Sequence, residues 1–343
     1  MEATPTAPAL ARAETPRAPS TALWWVGTFA GAFLGGVLLF AVWAKALDPG
    51  AFADQIRLEK LDFLLPAQAI ALIALALETG LGLALLLGVR RKWVLFPAIL
   101  LVAFFLFLTG RAWYLTAHGL RSEADSCGCF GNLVQRTPAE AFWQDLLLLV
   151  PALLLAFLGR ERRAPLFPPV RTAVAVLGAL AAVVFAWQAP ELPLDDLATR
   201  LRPGVQIEGI CAGAGDERIC LDSIVPELRQ GEHLVVMSKL DEELAKSVDA
   251  LNAYAADSRS TAGKPTLWVL ASSTPEELRA FFWKWGPVFE IRETPPELLR
   301  PLYRRLPRAF MVKDGRVIQT FRGMPPLAQT AMQSKDSFER SPT

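Results

Sequence analysis

Five stretches of this chain are each long and apolar enough to cross a lipid bilayer: roughly residues 23–44, 64–88, 93–117, 141–159 and 170–188. A hydrocarbon core of about 30 Å asks for about 20 apolar residues in a helix, since each residue adds about 1.5 Å. Such segments can fold only as helices that satisfy their own backbone, so the N-terminal half is expected to be a membrane helical bundle. The composition agrees, with 52% hydrophobic and 20% charged residues. A mean hydropathy of +0.31 is too high for an ordinary soluble protein. The first apolar stretch exceeds a signal peptide's core, and no small-residue cleavage pattern follows it, so it reads as a retained helix.

Positive charge sets the expected orientation. Arg12 and Arg17 precede the first span, Arg90, Arg91 and Lys92 separate the second and third, and Arg160, Arg162 and Arg163 separate the fourth and fifth. If the spans alternate, all three clusters fall on one side, which is the cytoplasm. The expected location is thus a bacterial-type inner membrane, multi-pass, with the N-terminus cytoplasmic and the C-terminal part periplasmic. Trp113, Tyr114, Trp143 and Trp187 stand at span ends, as an interfacial aromatic belt requires. The expected divisions are a disordered tail over 1–20, a bundle over 21–189, a linker over 190–203, an α/β domain over 204–330 and a second tail over 331–343.

Ionisable residues inside a membrane are costly and by default functional. Glu78 lies within the second span, about 20 Å below its outer end. It reads either as a relay or contact group, or as a hydrogen-bonded carboxyl beside Gly80 and Gly82, which would serve helix packing. Arg111 and Asp145 lie about 9 Å and about 6 Å below the outer ends of their spans and carry opposite charge, so an ion pair between them is expected.

The net charge of +1 lacks the basic excess of a nucleic-acid binder, and two histidines, His118 and His233, are too few for a His-rich metal or haem site. The four cysteines form two close pairs, and all four are expected on the outer side, where disulfides are permitted. Cys127 and Cys129 flank Gly128 in the loop after the third span. A strained, exposed ring of this kind is redox-labile. Structural thiols and a metal site are the alternatives, although zinc wants four ligands and only His118 is near.

The run from Lys45 through Asp48-Pro49 to Phe52, Pro66 at the opening of span two, Glu78-Thr-Gly80-Leu-Gly82, and Cys127-Gly-Cys129-Phe-Gly131 together resemble the MauE/DoxX family of redox-associated membrane proteins, over about residues 22–160. The resemblance implies periplasmic thiol chemistry or electron transfer, as in maturing a disulfide-rich subunit for methylamine utilisation. Cys127 and Cys129 would then be the exchanging pair. A quinone is an open choice of electron partner, although no feature of the sequence marks a quinone site.

After Trp187 the pattern becomes globular. Strands are expected at 233–237, 266–271, 308–312 and 316–322, with helices at 241–257 and 275–285 and a hairpin turn at Asp314-Gly315. The segment from Leu306-Pro307 to Gly315 resembles the end of a thioredoxin fold of the TlpA-like kind, which makes Pro307 the candidate for a cis proline facing the active site. Where that fold carries Cys-x-x-Cys, this chain has Ser238-Lys239-Leu240-Asp241, so no thiol exchange can occur there. Cys211 and Cys220 flank a candidate two-residue turn at Gly215-Asp216, which places them opposite one another with Cα atoms about 4.5 Å apart. A structural bridge is the first reading, and a resolving pair for Cys127/Cys129 the sharper one.

Three functions fit these residues: a membrane participant in thiol–disulfide chemistry or redox-protein maturation, a non-enzymatic anchor and binding scaffold for a periplasmic client, and a small-molecule transporter. The last rests only on Glu78 and Arg111, without the repeats or broken helices of transporters.

Overall fold

The computed structural model describes residues 21–120, 136–160, 169–213, 218–261 and 263–327. Cys127, Cys129, the candidate turn at Gly215-Asp216 and the two expected terminal tails lie outside them.

Five helices are long and apolar enough to cross a membrane. They are α1 (Thr21–Leu47), α3 (Ala67–Leu86), α4 (Lys92–Ala117), α5 (Pro138–Leu158) and α6 (Pro169–Gln188), while a short helix, α2 (Pro49–Leu58), fills the loop after α1. Asp48 caps α2 by accepting from the Ala51 N–H at 3.1 Å, with Pro49 in the first turn, where its missing donor costs nothing. At α5, Thr137 and Glu140 form a reciprocal capping box.

Bilayer lipid is as apolar as leucine, so helix association here depends on close approach rather than on hydrophobic burial. Gly35 of α1 sits against Gly82 of α3, where an added Cβ would stand 2.6 Å from the Gly82 carbonyl and 2.8 Å from the Leu86 nitrogen. Backbone cannot yield as a side chain can. Gly35→Ala is therefore expected to destabilise the bundle by about 1–3 kcal/mol, read as a lower melting temperature in detergent. An unchanged melt would mean that α1 and α3 are not held at this distance.

At the opposite end of the bundle from the soluble domain, Arg90 is fully buried. Its Nη1 donates to the carbonyls of Gly159 at 2.6 Å and Trp24 at 3.1 Å. The start of α1, the α3–α4 connection and the end of α5 therefore converge there. Arg90, counted above among charges facing the cytoplasm, acts as an internal clasp.

The C-terminal part is an α/β domain. A two-stranded ribbon, β1 (Cys211–Ala212) and β2 (Ile219–Cys220), precedes a five-stranded sheet. The sheet consists of β3 (Glu232–Met237), β4 (Thr266–Ala271), β5 (Glu290–Glu293), β6 (Arg308–Lys313) and β7 (Arg316–Arg322), in the order β5-β4-β3-β6-β7. Strands β3, β4 and β5 run parallel, and β6 and β7 return antiparallel. The helices are α7 (Asp195–Ala198), α8 (Leu221–Ile224), α9 (Glu242–Ala245), α10 (Val248–Ser260), α11 (Pro275–Trp285) and α12 (Pro296–Leu299). Alternation along each strand feeds two cores. Val235, Met237, Phe310 and Val312 point to one, whereas Leu234, Val236, Ala309 and Met311 point to the other.

The expected helix over 241–257 is two helices, α9 and α10, broken before Val248. Neither β5 nor α2 was expected. Residues 190–203, read above as a linker, carry α7 and supply Leu201 to the sheet's core.

Candidate functional site

Lys45, near the end of α1, reaches into the bundle and donates to both oxygens of Glu78, at 2.6 and 2.8 Å. Lys45 is 2% exposed and Glu78 is fully buried. Thr79 beside Glu78 turns its hydroxyl onto the Leu75 carbonyl and leaves the carboxylate to the lysine. The rings of Phe52 and Phe105 stand 4.9 and 5.0 Å from the ammonium. Sequence reasoning missed Lys45 as the partner because it ended the first span at Ala44. The helix in fact runs on to Leu47 and carries the lysine inside.

Arg111 and Asp145 do not meet. Arg111 pairs with Glu59 at the end of α2, and Asp145 pairs with Arg136 at 3.1 Å. Rise per residue fixes a side chain's height along a helix but not the direction it faces, and these two face different neighbours.

Where the soluble domain meets the bundle, a cleft of about 460 Å³ lies between Asp48, Pro49 and Gly50 and the segment Arg304–Arg308. The Leu306–Pro307 peptide in its wall is cis. The arginines around it are engaged. Arg304 donates to the carbonyls of Ala189 at 2.6 Å and Leu192 at 3.2 Å, Arg305 pairs with Glu191 at 3.1 Å, and Arg322 binds Asp195. At the position of the missing thiols, Ser238 is buried and Asp241 caps α9 by accepting from Glu243 N–H and Leu244 N–H at 3.1 and 3.2 Å. Cys211 and Cys220 face each other across the ribbon and are disulfide-bonded, with Cα atoms 4.0 Å apart. His233 is held between the Gln230 carbonyl at 2.7 Å and the Trp268 indole N–H at 3.1 Å. If the indole donates to Nδ1, Nε2 carries the proton, and the ring is a satisfied core histidine.

Burial raises the Asp48 carboxyl from 3.8 to about 6, against the opposing pull of the Ala51 N–H and Arg304. An acid with a higher pKa when folded holds its proton longer in the folded state. Stability contributed by protonated Asp48 is therefore present below about pH 4 and lost as pH rises through about 6, by about 3 kcal/mol at most. Asp48→Asn keeps an acceptor for the cap and removes the charge. It is expected to raise the melting temperature at pH 7.5 and leave it unchanged near pH 4, and equal shifts at both pH values would refute the assignment.

These features define a multi-pass membrane protein whose helical bundle carries a thioredoxin-like α/β domain, with the thioredoxin strand order but without its thiols. Residues 23–158, the bundle through α5, match the family model described as Methylamine utilisation protein MauE. Among solved structures, the chain is similar to one described as a thiol:disulfide interchange protein DsbE from Chlorobium tepidum, at 12% identity and a TM-score of 0.31 over 40% of this chain and 97% of that one. It is also similar to the thioredoxin domain of a thiol-disulfide oxidoreductase from Bacteroides vulgatus, at 11% identity and a TM-score of 0.31 over 39% and 97%. No curated protein matches the chain.

Proposed function

We propose that this protein takes part in thiol–disulfide chemistry or redox-protein maturation at the outer face of a bacterial-type inner membrane, with Cys127 and Cys129 as the exchanging pair. The observation that carries this reading is the placement of the cysteines. Of the four cysteines in the chain, Cys211 and Cys220 are joined to each other. The thioredoxin-like domain offers serine and aspartate where its fold would offer thiols. The other two cysteines stand in the Cys-Gly-Cys segment that follows α4 in the sequence, and exchange is assigned to them, with Cys211–Cys220 as the structural bridge. The convergence of α1, α5 and the α3–α4 connection around Arg90 supports an orientation with that end cytoplasmic and the soluble domain periplasmic.

The domain's role in this reading is to bind or position a client, because its cis-proline wall faces Asp48–Gly50 of the bundle across the cleft. A non-enzymatic scaffold is the second reading. It is favoured by the engagement of Arg304, Arg305 and Arg322 with the end of α6 and the residues after it, which makes the domain a fixed platform.

Mass-tag alkylation of all four cysteines in membranes, before and after reduction, separates the two. In the thiol reading, Cys127 and Cys129 cycle with respiratory state while Cys211–Cys220 stays closed, and Cys127→Ser or Cys129→Ser captures a thiol partner as a mixed disulfide. Both pairs locked under every condition would leave only the scaffold.

A further inference from the structure

Beside the Lys45–Glu78 pair lies a cavity of about 520 Å³ between α2, α3 and α4, with both residues in its wall. Its polar lining is sparse: besides the pair it includes Gln55, Glu59 and Thr109, among aliphatic and aromatic side chains. Glu59 is bound to Arg111, and the Thr109 hydroxyl donates to the Phe105 carbonyl at 3.0 Å. Ile73 and Leu77 of α3 and Leu100 and Phe104 of α4 also line it, and all four are exposed on the flank of the bundle that meets lipid. The cavity thus has an apolar mouth toward the bilayer and one charged pair at depth.

We infer that this cavity binds an isoprenoid quinone, with its head at Lys45 and Glu78 and its tail leaving between α3 and α4. The volume lies within the range of built small-molecule sites, about 300–1,000 Å³. The pair is neutral overall, so a phosphate headgroup drawn to the lysine would meet the carboxylate at the same spot. A neutral, planar head fits both partners. An ammonium has three N–H donors, of which two serve Glu78, leaving one for a quinone carbonyl. The carboxylate can accept from a quinol hydroxyl, and the rings of Phe52 and Phe105 give the flat head apolar faces. An acyl chain alone would gain nothing from the pair, and the cost of burying two charges points to a ligand that reads them.

The inference deepens the thiol reading and rests on it only for the use of the quinone. A dithiol that closes to a disulfide loses two electrons and two protons, and the quinone takes up both and leaves as quinol.

The test is binding of decylubiquinone to the full chain in phosphatidylcholine nanodiscs, corrected for partition into empty discs. Two changes are compared, each checked for a monodisperse fold. The double replacement Lys45→Met with Glu78→Leu removes both charges together and strands neither. Ala74→Trp fills the cavity and leaves the pair in place. Saturable binding is expected in the unaltered chain, weakened about tenfold or more in the double replacement and lost in Ala74→Trp. Equal affinity in the unaltered chain and the double replacement would overturn the inference, since the site would then hold apolar tails without reading a head. Absence of saturable binding to the unaltered chain would overturn it too. Mass-tag alkylation of the same samples separates this inference from the proposed function. Cycling thiols without quinone binding sink the site alone, whereas quinone binding with Cys127 and Cys129 locked keeps the site and sinks the thiol reading.

Discussion

Lys45→Met alone is expected to destabilise the bundle by about 3–5 kcal/mol, whereas the same change made together with Glu78→Leu is expected to cost far less or nothing. The asymmetry follows from where the two groups sit. Both are shielded from water, and the ammonium donates to both carboxylate oxygens at 2.6 and 2.8 Å. Removing the lysine leaves a carboxylate among Phe52, Phe105 and the leucines of α3 and α4, with no cation to offset its desolvation. Removing both leaves an apolar interior filled by side chains of similar length. Apparent melting temperatures in detergent read the difference. At about 2–4 °C per kcal/mol for a unit of this size, the single change should lower the melt by at least about 6 °C relative to the double. Equal melts for the two variants would show that the pair is not energetically coupled, and the functional weight placed on it would fall.

How much of this was legible beforehand depends on the kind of signal. The five spans were, because a bilayer imposes a length and a polarity that no other environment imposes together. The strands at 232–237, 266–271 and 308–322 were as well, because alternation feeds two cores and Asp314-Gly315 marks a turn. What sequence could not carry was direction around a helix axis. Glu78 stood out as an intramembrane acid, but its partner is 33 positions earlier on another helix, and nothing in local pattern joins them. Arg111 and Asp145 have matching heights and different facings, so the ion pair inferred from height alone failed. The strand β5, Glu-Ile-Arg-Glu, is an edge strand with half its residues exposed, and it lacks the apolar signal of its neighbours. Helix α2 was hidden because Asp48-Pro49-Gly50 reads equally well as a turn or as a cap with a first-turn proline.

The segment 190–203 was hidden for a different reason, and Arg308 explains it. Its composition is that of a connector, yet a buried guanidinium at the start of β6 ties it to the sheet, with Arg304 and Arg322 holding its outer part. Arg308 is 2% exposed and donates to Thr199 Oγ1 at 2.7 Å, to the Leu302 carbonyl at 2.8 Å, and to the Leu201 carbonyl and Asp196 at 3.1 Å each. Burial lowers its pKa from the ordinary arginine value, with Asp195 and Asp196 opposing that shift. Four acceptors from two chain segments thus converge on one fork. Arg308→Met is expected to cost about 3–5 kcal/mol, because the buried Leu302 carbonyl would lose the guanidinium that donates to it and the Leu201 carbonyl would keep only the Thr199 hydroxyl at 3.3 Å. Arg308→Lys is expected to recover only part of this, since an ammonium has three donors and cannot span the same spread. Hydrogen–deuterium exchange on the full chain locates the effect. Peptides covering 195–203 should lose protection by about a hundredfold or more, while β3 and β4 hold theirs until the whole domain opens. Uniform loss across the sheet would instead make Arg308 a general core residue. A local loss would make 190–203 the hinge by which the domain is fastened to α6, and with it the distance between the cis-proline wall and Asp48 of the bundle.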